Sequence, residues 1–267
     1  MLSETPGIAS SDRPVDSGSS KTLVEHIYQR LRREIVYLNL QPGSKLLVEE
    51  LRARYKVSSS AMREALLWLV ADCLVTTEPQ RGFRVSPMSI ADYSEITRLR
   101  KILERMALVE SIAAGDDHWE AEVVAAWHRL SLVDMKRKGG PSSESVMLYN
   151  ARNAAFHDAL AAASSSQWVN RFRRVLYNAA ERYRMLYFST HDFQSSVHKA
   201  HKAILKAALA RDVELACRLT DEHIDTSYET FVASDSTWPG LPPAASRSAR
   251  PLSGQPAHRG DARLNHV

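Results

Sequence analysis

Residues 27–88 read IYQRLRREIVYLNLQPGSKLLVEELRARYKVSSSAMREALLWLVADCLVTTEPQRGFRVSPM, and their apolar spacing predicts three helices followed by a hairpin. Apolar residues recur at every fourth position from Leu23 to Ile35, which predicts an amphipathic helix from about Thr22 to Leu38. A Gln-Pro-Gly-Ser run at 41–44 ends this helix. Two further helices are expected over about residues 48–55 and 59–71.

The end of the same stretch predicts a small β-hairpin. Residues 74–77 and 83–86 are β-prone, and the five residues between them suit a hairpin loop. Ahead of the third helix, the hydroxyl of Ser58 or Ser59 can cap its amino terminus. Three helices and a two-stranded wing describe a winged helix-turn-helix, in which the third helix enters the major groove of DNA.

The distribution of charge favours the same interpretation. The whole chain carries a formal charge of only +4, but residues 21–88 contain eleven basic and seven acidic residues. Residues 89–233 contain nineteen of each and are neutral. The excess positive charge of the folded part therefore lies in its first third, which points weakly to a polyanionic partner there.

The rest of the chain divides into a helical region and two polar ends. After Pro87 the apolar residues follow helical spacing throughout, which predicts an all-α domain of about six helices over residues 89–233. Residues 1–20 and 234–267 are too poor in apolar side chains to bury a core and are expected to be disordered. The predicted fold is therefore mainly α, with a winged helix-turn-helix at 21–88 and a helical bundle after it.

Composition excludes several classes of protein. With 267 residues, 44% apolar and 25% charged, the chain has the make-up of an ordinary soluble protein. No apolar run reaches the roughly 18 residues of a membrane span, and no signal-peptide pattern opens the chain. Cys73 and Cys217 form no CxxC motif. A reducing, cytoplasmic setting is therefore expected, with no membrane partner.

The first stretch resembles the DNA-binding domain of GntR-family transcription regulators. Three motifs carry the resemblance: L-x-P-G-x-x-L, V-S-x-x-x-x-R-E-A-L-x-x-L, and L-V-x-x-x-x-x-R-G-F-x-V. The resemblance implies binding to double-stranded operator DNA. Side chains of the recognition-helix start and the wing tip would contact it, namely Ser58, Ser59, Ser60, Arg63, Arg81 and Gly82. Hydroxyls can hold phosphates, and arginine can read guanine.

This chain departs from the family pattern at two positions of the recognition helix. The family usually has Arg where Ser59 stands and often Pro where Ala61 stands. Specificity is then expected to shift to Arg63 and the wing. Two plainer interpretations stay open, since Arg63 with Glu64 could be a solvated helix-surface pair and the Arg-Gly at 81–82 an ordinary tight turn.

Residues 92–233 resemble the FCD domain, the FadR C-terminal domain of the FadR-like branch of this family. The matching segments are EITRLRKILERMALVESIAA (95–114), NAAFHDAL (153–160) and HKAHKAILKAALARDVELACRLTDEHI (198–224). In such domains two of these segments carry a metal site, and the corresponding residues here are Asn153, His157, His201 and His223. Helical spacing agrees, because Asn153 lies one turn from His157 and the other two histidines fall on apolar stripes. Three imidazoles and an oxygen donor suit Zn²⁺ or Ni²⁺.

The family's effectors are mostly small organic acids, which the metal and nearby arginines would hold. Arg100 is the first candidate, and Arg182 or Arg184 the second, because a guanidinium binds a carboxylate in a bidentate manner. Each arginine could instead be a surface or ion-paired residue, and each histidine a hydrogen-bonded core residue. Asn153 also stands where many members have Asp, which removes one negative charge from the metal site.

These observations predict a homodimeric transcription regulator rather than an enzyme. A small organic acid in the helical domain would shift the two winged domains and weaken operator binding, with repression favoured by family analogy alone. Two alternatives are a metal-dependent hydrolase and a DNA-binding architectural protein with a purely structural bundle. The first lacks a recognisable base or nucleophile motif.

Overall fold

The computed structural model describes residues 17–78, 82–133, 143–188 and 194–234. These residues form nine helices and a three-stranded sheet, which confirms the predicted mainly-α fold. In chain order the elements are α1 (Ser17–Val36), β1 (Lys45–Leu46), α2 (Val48–Tyr55), α3 (Ser59–Ala71), β2 (Val75–Glu78), β3 (Gly82–Val85), α4 (Ile90–Ala114), α5 (Asp117–Ser131), α6 (Ser143–Leu160), α7 (Gln167–Phe188), α8 (Gln194–Leu209) and α9 (Val213–Ser234).

Helices α1 to α3 form the helix-turn-helix part, and the bounds of α2 and α3 agree with the prediction. Helix α1 begins at Ser17, inside the segment expected to be disordered, and ends two residues before the predicted Leu38. Leu38 has a φ of 61°, a left-handed conformation that cannot continue the helix. The rest of the predicted disordered ends, residues 1–16 and 235–267, lies outside the described residues.

The sheet contains one strand that the sequence pattern did not predict. The expected hairpin is present as the antiparallel pair β2 and β3, with Val75 opposite Val85. Strand β1 adds to the other edge of β3, with Leu46 opposite Phe83. A two-residue strand has no periodicity of its own, and its partner lies almost forty residues further along the chain. Local pattern therefore could not reveal it.

One apolar core lies within the winged domain, and a second joins that domain to the helical domain. The first joins α1, α2, α3 and the sheet, and Leu31, Leu66 and Leu69 are completely buried in it. The second joins the end of α1 to α4, α7 and α9. Val36 of α1 packs there with Tyr93 and Tyr183, whose rings are stacked 4.3 Å apart. The winged domain is thus joined to the helical domain by packing as well as by the chain.

A third core fills the helical domain between α4, α5, α6, α8 and α9, where Phe156 and Ile204 are completely buried. Helix α4 packs against both α7 and α9 along its length. One cavity of the bundle is lined by five helices, namely α4, α6, α7, α8 and α9. Among the described helices, none is both long enough and apolar enough to cross a membrane.

The first core supplies a direct test of the fold. Replacing Leu66, which is completely buried, with Ala should lower the free energy of unfolding by about 2–5 kcal/mol, because it leaves a cavity among α1, α2 and the sheet. Leu67→Ala is the matched control, because Leu67 follows Leu66 on the same helix and is 54% exposed. Chemical denaturation would measure both. Equal losses for the two variants would contradict the described face of α3.

Candidate metal centre and nucleic-acid interface

The amino terminus of α3 presents serine hydroxyls. Ser58 is its N-cap, and the Ser58 Oγ accepts a hydrogen bond from the Ala61 backbone N–H at 3.2 Å. The Ser60 Oγ lies 3.0 Å from the Ser58 Oγ. Backbone N–H groups and hydroxyls at a helix amino terminus form a suitable site for a phosphate.

Ser59 has a partner within the protein. Its hydroxyl donates to Glu49 of α2 at 3.1 Å, and Arg52 donates to the same carboxylate at 2.5 Å. These hydrogen bonds, Arg52's first, hold the pKa of the Glu49 carboxyl below its usual value. At the position where the family usually carries arginine, this chain therefore has a serine that fastens α3 to α2.

The remaining residues predicted to contact DNA are only partly described. Arg63 is exposed on α3, one turn beyond the serines, and is free of the core that Met62 and Leu66 face. Gly82 opens β3 with a φ of +80°, a left-handed conformation that favours glycine over other residues. Arg81 lies outside the described residues.

Three histidines meet in the helical domain. His157 of α6, His201 of α8 and His223 of α9 each place a ring nitrogen within 4.8 Å of the other two. The Nε2 atoms of His201 and His223 are 3.2 Å apart. This is the length of a hydrogen bond between the two rings, and it is also close to the roughly 3.3 Å that separates two nitrogens bound to one tetrahedral zinc ion.

Burial keeps these imidazoles neutral. Desolvation, followed by the neighbouring histidines, holds the pKa of His157 well below its ordinary value. Burial and then Arg100 and Arg184 lower the pKa of His223 to about 3. A neutral imidazole has a lone pair available for a metal, whereas an imidazolium does not. The three rings are therefore in the protonation state that coordination requires at neutral pH.

The amide of Asn153 lies beside this cluster and offers an oxygen. It is buried, and its Nδ2 donates to the Tyr177 hydroxyl at 2.7 Å. Its Oδ1 is also buried and has no hydrogen-bond partner. A buried carbonyl oxygen without a partner costs free energy, which a bound cation would recover. The four residues predicted from the sequence thus form a donor set that fits a divalent metal.

Two arginines face the same cavity. Arg100 of α4 and Arg184 of α7 lie over the Tyr177 ring, with guanidinium carbons 5.2 and 4.5 Å from its centroid. Burial, and next the charge of Arg184, lowers the pKa of the Arg100 guanidinium. Neither Asp nor Glu is among the described residues that line this cavity. The described lining of this cavity therefore carries positive charge and no negative charge of its own.

Arg182 does not reach this cavity, contrary to one of the two predictions for α7. It is buried, but its guanidinium donates to the Ser86 carbonyl between the two domains. Each residue turns a helix by about 100°, so Arg182 and Arg184, two positions apart, project from nearly opposite sides of α7. Arg182 lines a separate cavity of about 770 Å³ between the winged domain, the linker, α4 and α7.

Sequence reasoning missed several residues of the site. Tyr149 and Tyr177 line its cavity, and Tyr177 lies two turns before Arg184 on the same face of α7, a spacing that could have revealed it. Arg173 was also missed. It is buried, its Nη1 lies 3.4 Å from Glu104, and it donates to the His157 carbonyl at 3.5 Å. This network fixes the backbone that carries His157.

Comparison with known proteins agrees with both halves of this description. Residues 23–85 match the family model for bacterial regulatory proteins of the gntR family, and residues 95–226 match the FCD domain. Among curated proteins, the HTH-type transcriptional regulator BphR of Paraburkholderia xenovorans is 43% identical over 217 residues, which cover 80% of this chain and 87% of BphR. The HTH-type transcriptional repressor GlaR of Escherichia coli is 34% identical, over 74% of this chain and 91% of GlaR.

Solved structures show the same fold at lower identity. E. coli McbR/YncC superposes with a TM-score of 0.65 at 19% identity, over 80% of this chain and 98% of that protein. A GntR-type regulator from Rhodococcus sp. RHA1 superposes with a TM-score of 0.63 at 22% identity, over 80% and 99%. The matching families and relatives are transcription regulators and not enzymes, which removes the hydrolase alternative. The chain is a DNA-binding transcription regulator that belongs to the GntR family and carries an FCD domain.

Proposed function

We propose that the protein is a cytoplasmic, homodimeric repressor that leaves its operator when a small organic acid binds at a divalent metal in the FCD domain. One observation carries the proposal: three neutral imidazoles meet beside two buried arginines in a cavity whose described lining contains neither Asp nor Glu. The name of GlaR, a transcriptional repressor at 34% identity, supports repression.

The donor set favours Zn²⁺ or Ni²⁺. His157, His201 and His223 would hold the ion, and the Asn153 Oδ1 is available as a fourth, neutral ligand. Imidazole is a ligand that suits both metals, and three protein nitrogens leave coordination positions open. A bound divalent ion supplies a strong attraction for carboxylate oxygens at those open positions.

The charge of the cavity explains why the effector would be an acid. A divalent ion next to Arg100 and Arg184 places four positive charges in a space closed to solvent. Such a cluster is unstable unless anions join it. A carboxylate bound to both the metal and a guanidinium relieves this repulsion, so the metal and the acid should each strengthen the binding of the other.

The size of the cavity connects binding to a change of shape. Its volume is about 10 Å³, which is enough for about one water molecule or one ion. An organic acid therefore requires the surrounding helices to move apart. A ligand that binds only the widened arrangement shifts the population toward it.

Exposed apolar side chains on two packed helices support a homodimer. Ile102 and Met106 on α4 are 48% and 46% exposed, and Trp168 and Phe172 on α7 are 65% and 51% exposed. Large apolar side chains grouped on neighbouring helices are typical of protein–protein contacts. Two winged domains in a symmetric dimer would match a pseudo-palindromic operator.

Arg63 provides the test of DNA recognition. Arg63→Ala should weaken operator binding by about 1–3 kcal/mol, or roughly 5- to 150-fold, if its guanidinium reads a base. Fluorescence anisotropy at fixed salt, with an operator selected from random DNA, would measure the loss against a scrambled duplex. Arg98→Ala, an exposed arginine of α4, controls for the change in charge. Unchanged operator affinity would remove Arg63 from the interface.

The histidine cluster provides the test of the metal. The purified protein should hold about one divalent ion per chain. His157→Ala or His201→Ala should reduce the Zn²⁺ affinity at least tenfold, because even the loss of a residue that only supports a metal ligand costs about tenfold. Titration against a chromophoric chelator measures this affinity. His198→Ala is the control, since His198 is exposed three residues before His201 on the same helix. A protein without metal affinity would support the purely structural bundle instead.

Thermal unfolding provides the test of the effector. Some small organic acids should raise the Tm when Zn²⁺ is present and raise it much less when Zn²⁺ is absent. A ligand that binds only the folded state stabilises that state and so raises the Tm. Arg100→Gln should abolish the acid-dependent rise and leave the rise with Zn²⁺ alone. Arg98→Gln, two residues away and exposed, should retain both. An equal acid response with and without metal would contradict the proposed mode of binding.

A further inference from the structure

One turn of α7 contacts both the winged domain and the proposed effector site. Its four consecutive residues, Glu181 to Arg184, project in different directions around the helix. Arg184 faces the histidine cavity, and the three before it face α1, the linker or α4. The same rigid segment therefore touches the site that would bind a ligand and the domain that binds DNA.

Arg32 of α1 fastens the winged domain to this turn. Its Nη2 donates to the Glu181 carboxylate at 2.6 Å and to the Asn178 Oδ1 at 2.9 Å. Only 22% of the Arg32 side chain and 8% of the Glu181 side chain are exposed. An ion pair so shielded from water is stronger than one on the surface and responds steeply to small displacements. The charge of Glu181 raises the pKa of Arg32 despite the burial.

The next two residues fasten the linker. Arg182 donates to the Ser86 carbonyl. The Tyr183 hydroxyl accepts a hydrogen bond from the Ser89 N–H at 3.2 Å and donates to Asp92 at 2.5 Å. The turn of α7 that binds Arg32 therefore also holds the linker between the two domains. A displacement of α7 would change both attachments together.

We propose that Arg32 is a positioning residue which transmits ligand binding to the winged domain through its contacts with Asn178 and Glu181 on α7. This rests on the proposed function, because it takes the histidine site as the place where the signal arises. A divalent ion, with the water or carboxylate ligands that complete its coordination, needs more room beside the Arg184 guanidinium than this cavity offers. In a cavity of about 10 Å³ that guanidinium has no room to retreat without moving its helix. The contacts of Arg32 lie less than one turn (Glu181) and less than two turns (Asn178) before Arg184 on α7, and they then lengthen and release α1.

The experiment uses Zn²⁺ alone as the probe and compares its affinity for the free protein and for the operator-bound protein by titration. Coupling is reciprocal, so the ratio of the two affinities measures transmission in either direction. The wild type should show a ratio of about 5 or more, the lower end of typical allosteric coupling. Arg32→Ala and Glu181→Gln should bring the ratio close to 1 without lowering the Zn²⁺ affinity of the free protein, because the ion no longer has to break these contacts.

Arg33→Ala is the matched control, because this exposed neighbour on α1 carries the same charge and should retain the wild-type ratio. A wild-type ratio in Arg32→Ala would overturn the proposal. So would a wild type that binds Zn²⁺ and shows no coupling to the operator.

Amide hydrogen exchange in the metal-free protein separates this proposal from the proposed function. Arg32→Ala should increase exchange at the Ser89 N–H and along the end of α1, and Arg33→Ala should not. If the wild type binds no Zn²⁺, both the metal site and the transmission from it are wrong. Increased exchange in Arg32→Ala would then still show that Arg32 attaches the winged domain to α7. Unchanged exchange in Arg32→Ala would overturn the attachment itself.

Discussion

Positive charge gathered around one buried cavity is the constraint on which the helical domain depends. Arg100 and Arg184 lie against one tyrosine ring, and three histidines meet beside them. The imidazoles can share this space only as neutral rings, since further protonation would add charge where water cannot screen it. In the proposed function the same condition prepares them for a metal, and an anion would then balance the charge of that metal.

The sequence pattern predicted the parts of the molecule in which neighbouring residues determine structure. Helices α2 and α3 follow from apolar spacing and a serine cap, and His157, His201 and His223 follow from family motifs that lie on inward-facing helical stripes. Strand β1 was missed because its hydrogen-bond partners come from a distant strand. The choice between Arg182 and Arg184 could not be made, since it depends on how α7 is rotated against α4 and the linker.

Helix α7 gives the two domains a shared structural element. It packs along α4 in the helical domain and against α1 of the winged domain. Tyr183 is stacked on Tyr93 at the centre of that contact, so both apolar packing and polar contacts hold the domains together. Glu181 and Arg184 lie three residues apart on the same side of the helix but have different neighbours: Glu181 contacts Arg32 of α1, and Arg184 lines the histidine cavity. A regulator with this construction needs no separate signalling segment between ligand and DNA.

X-ray absorption at the edge of the bound metal tests the central claim most directly, because it reports the ligands rather than a consequence of binding. The protein loaded with one equivalent of Zn²⁺ should show three imidazole nitrogens at about 2.0–2.1 Å, completed by oxygen ligands. An added carboxylate effector should change the oxygen ligands and leave the three imidazoles in place. A spectrum of oxygen ligands alone, or with fewer than three imidazoles, would contradict the assignment of His157, His201 and His223 as the metal site.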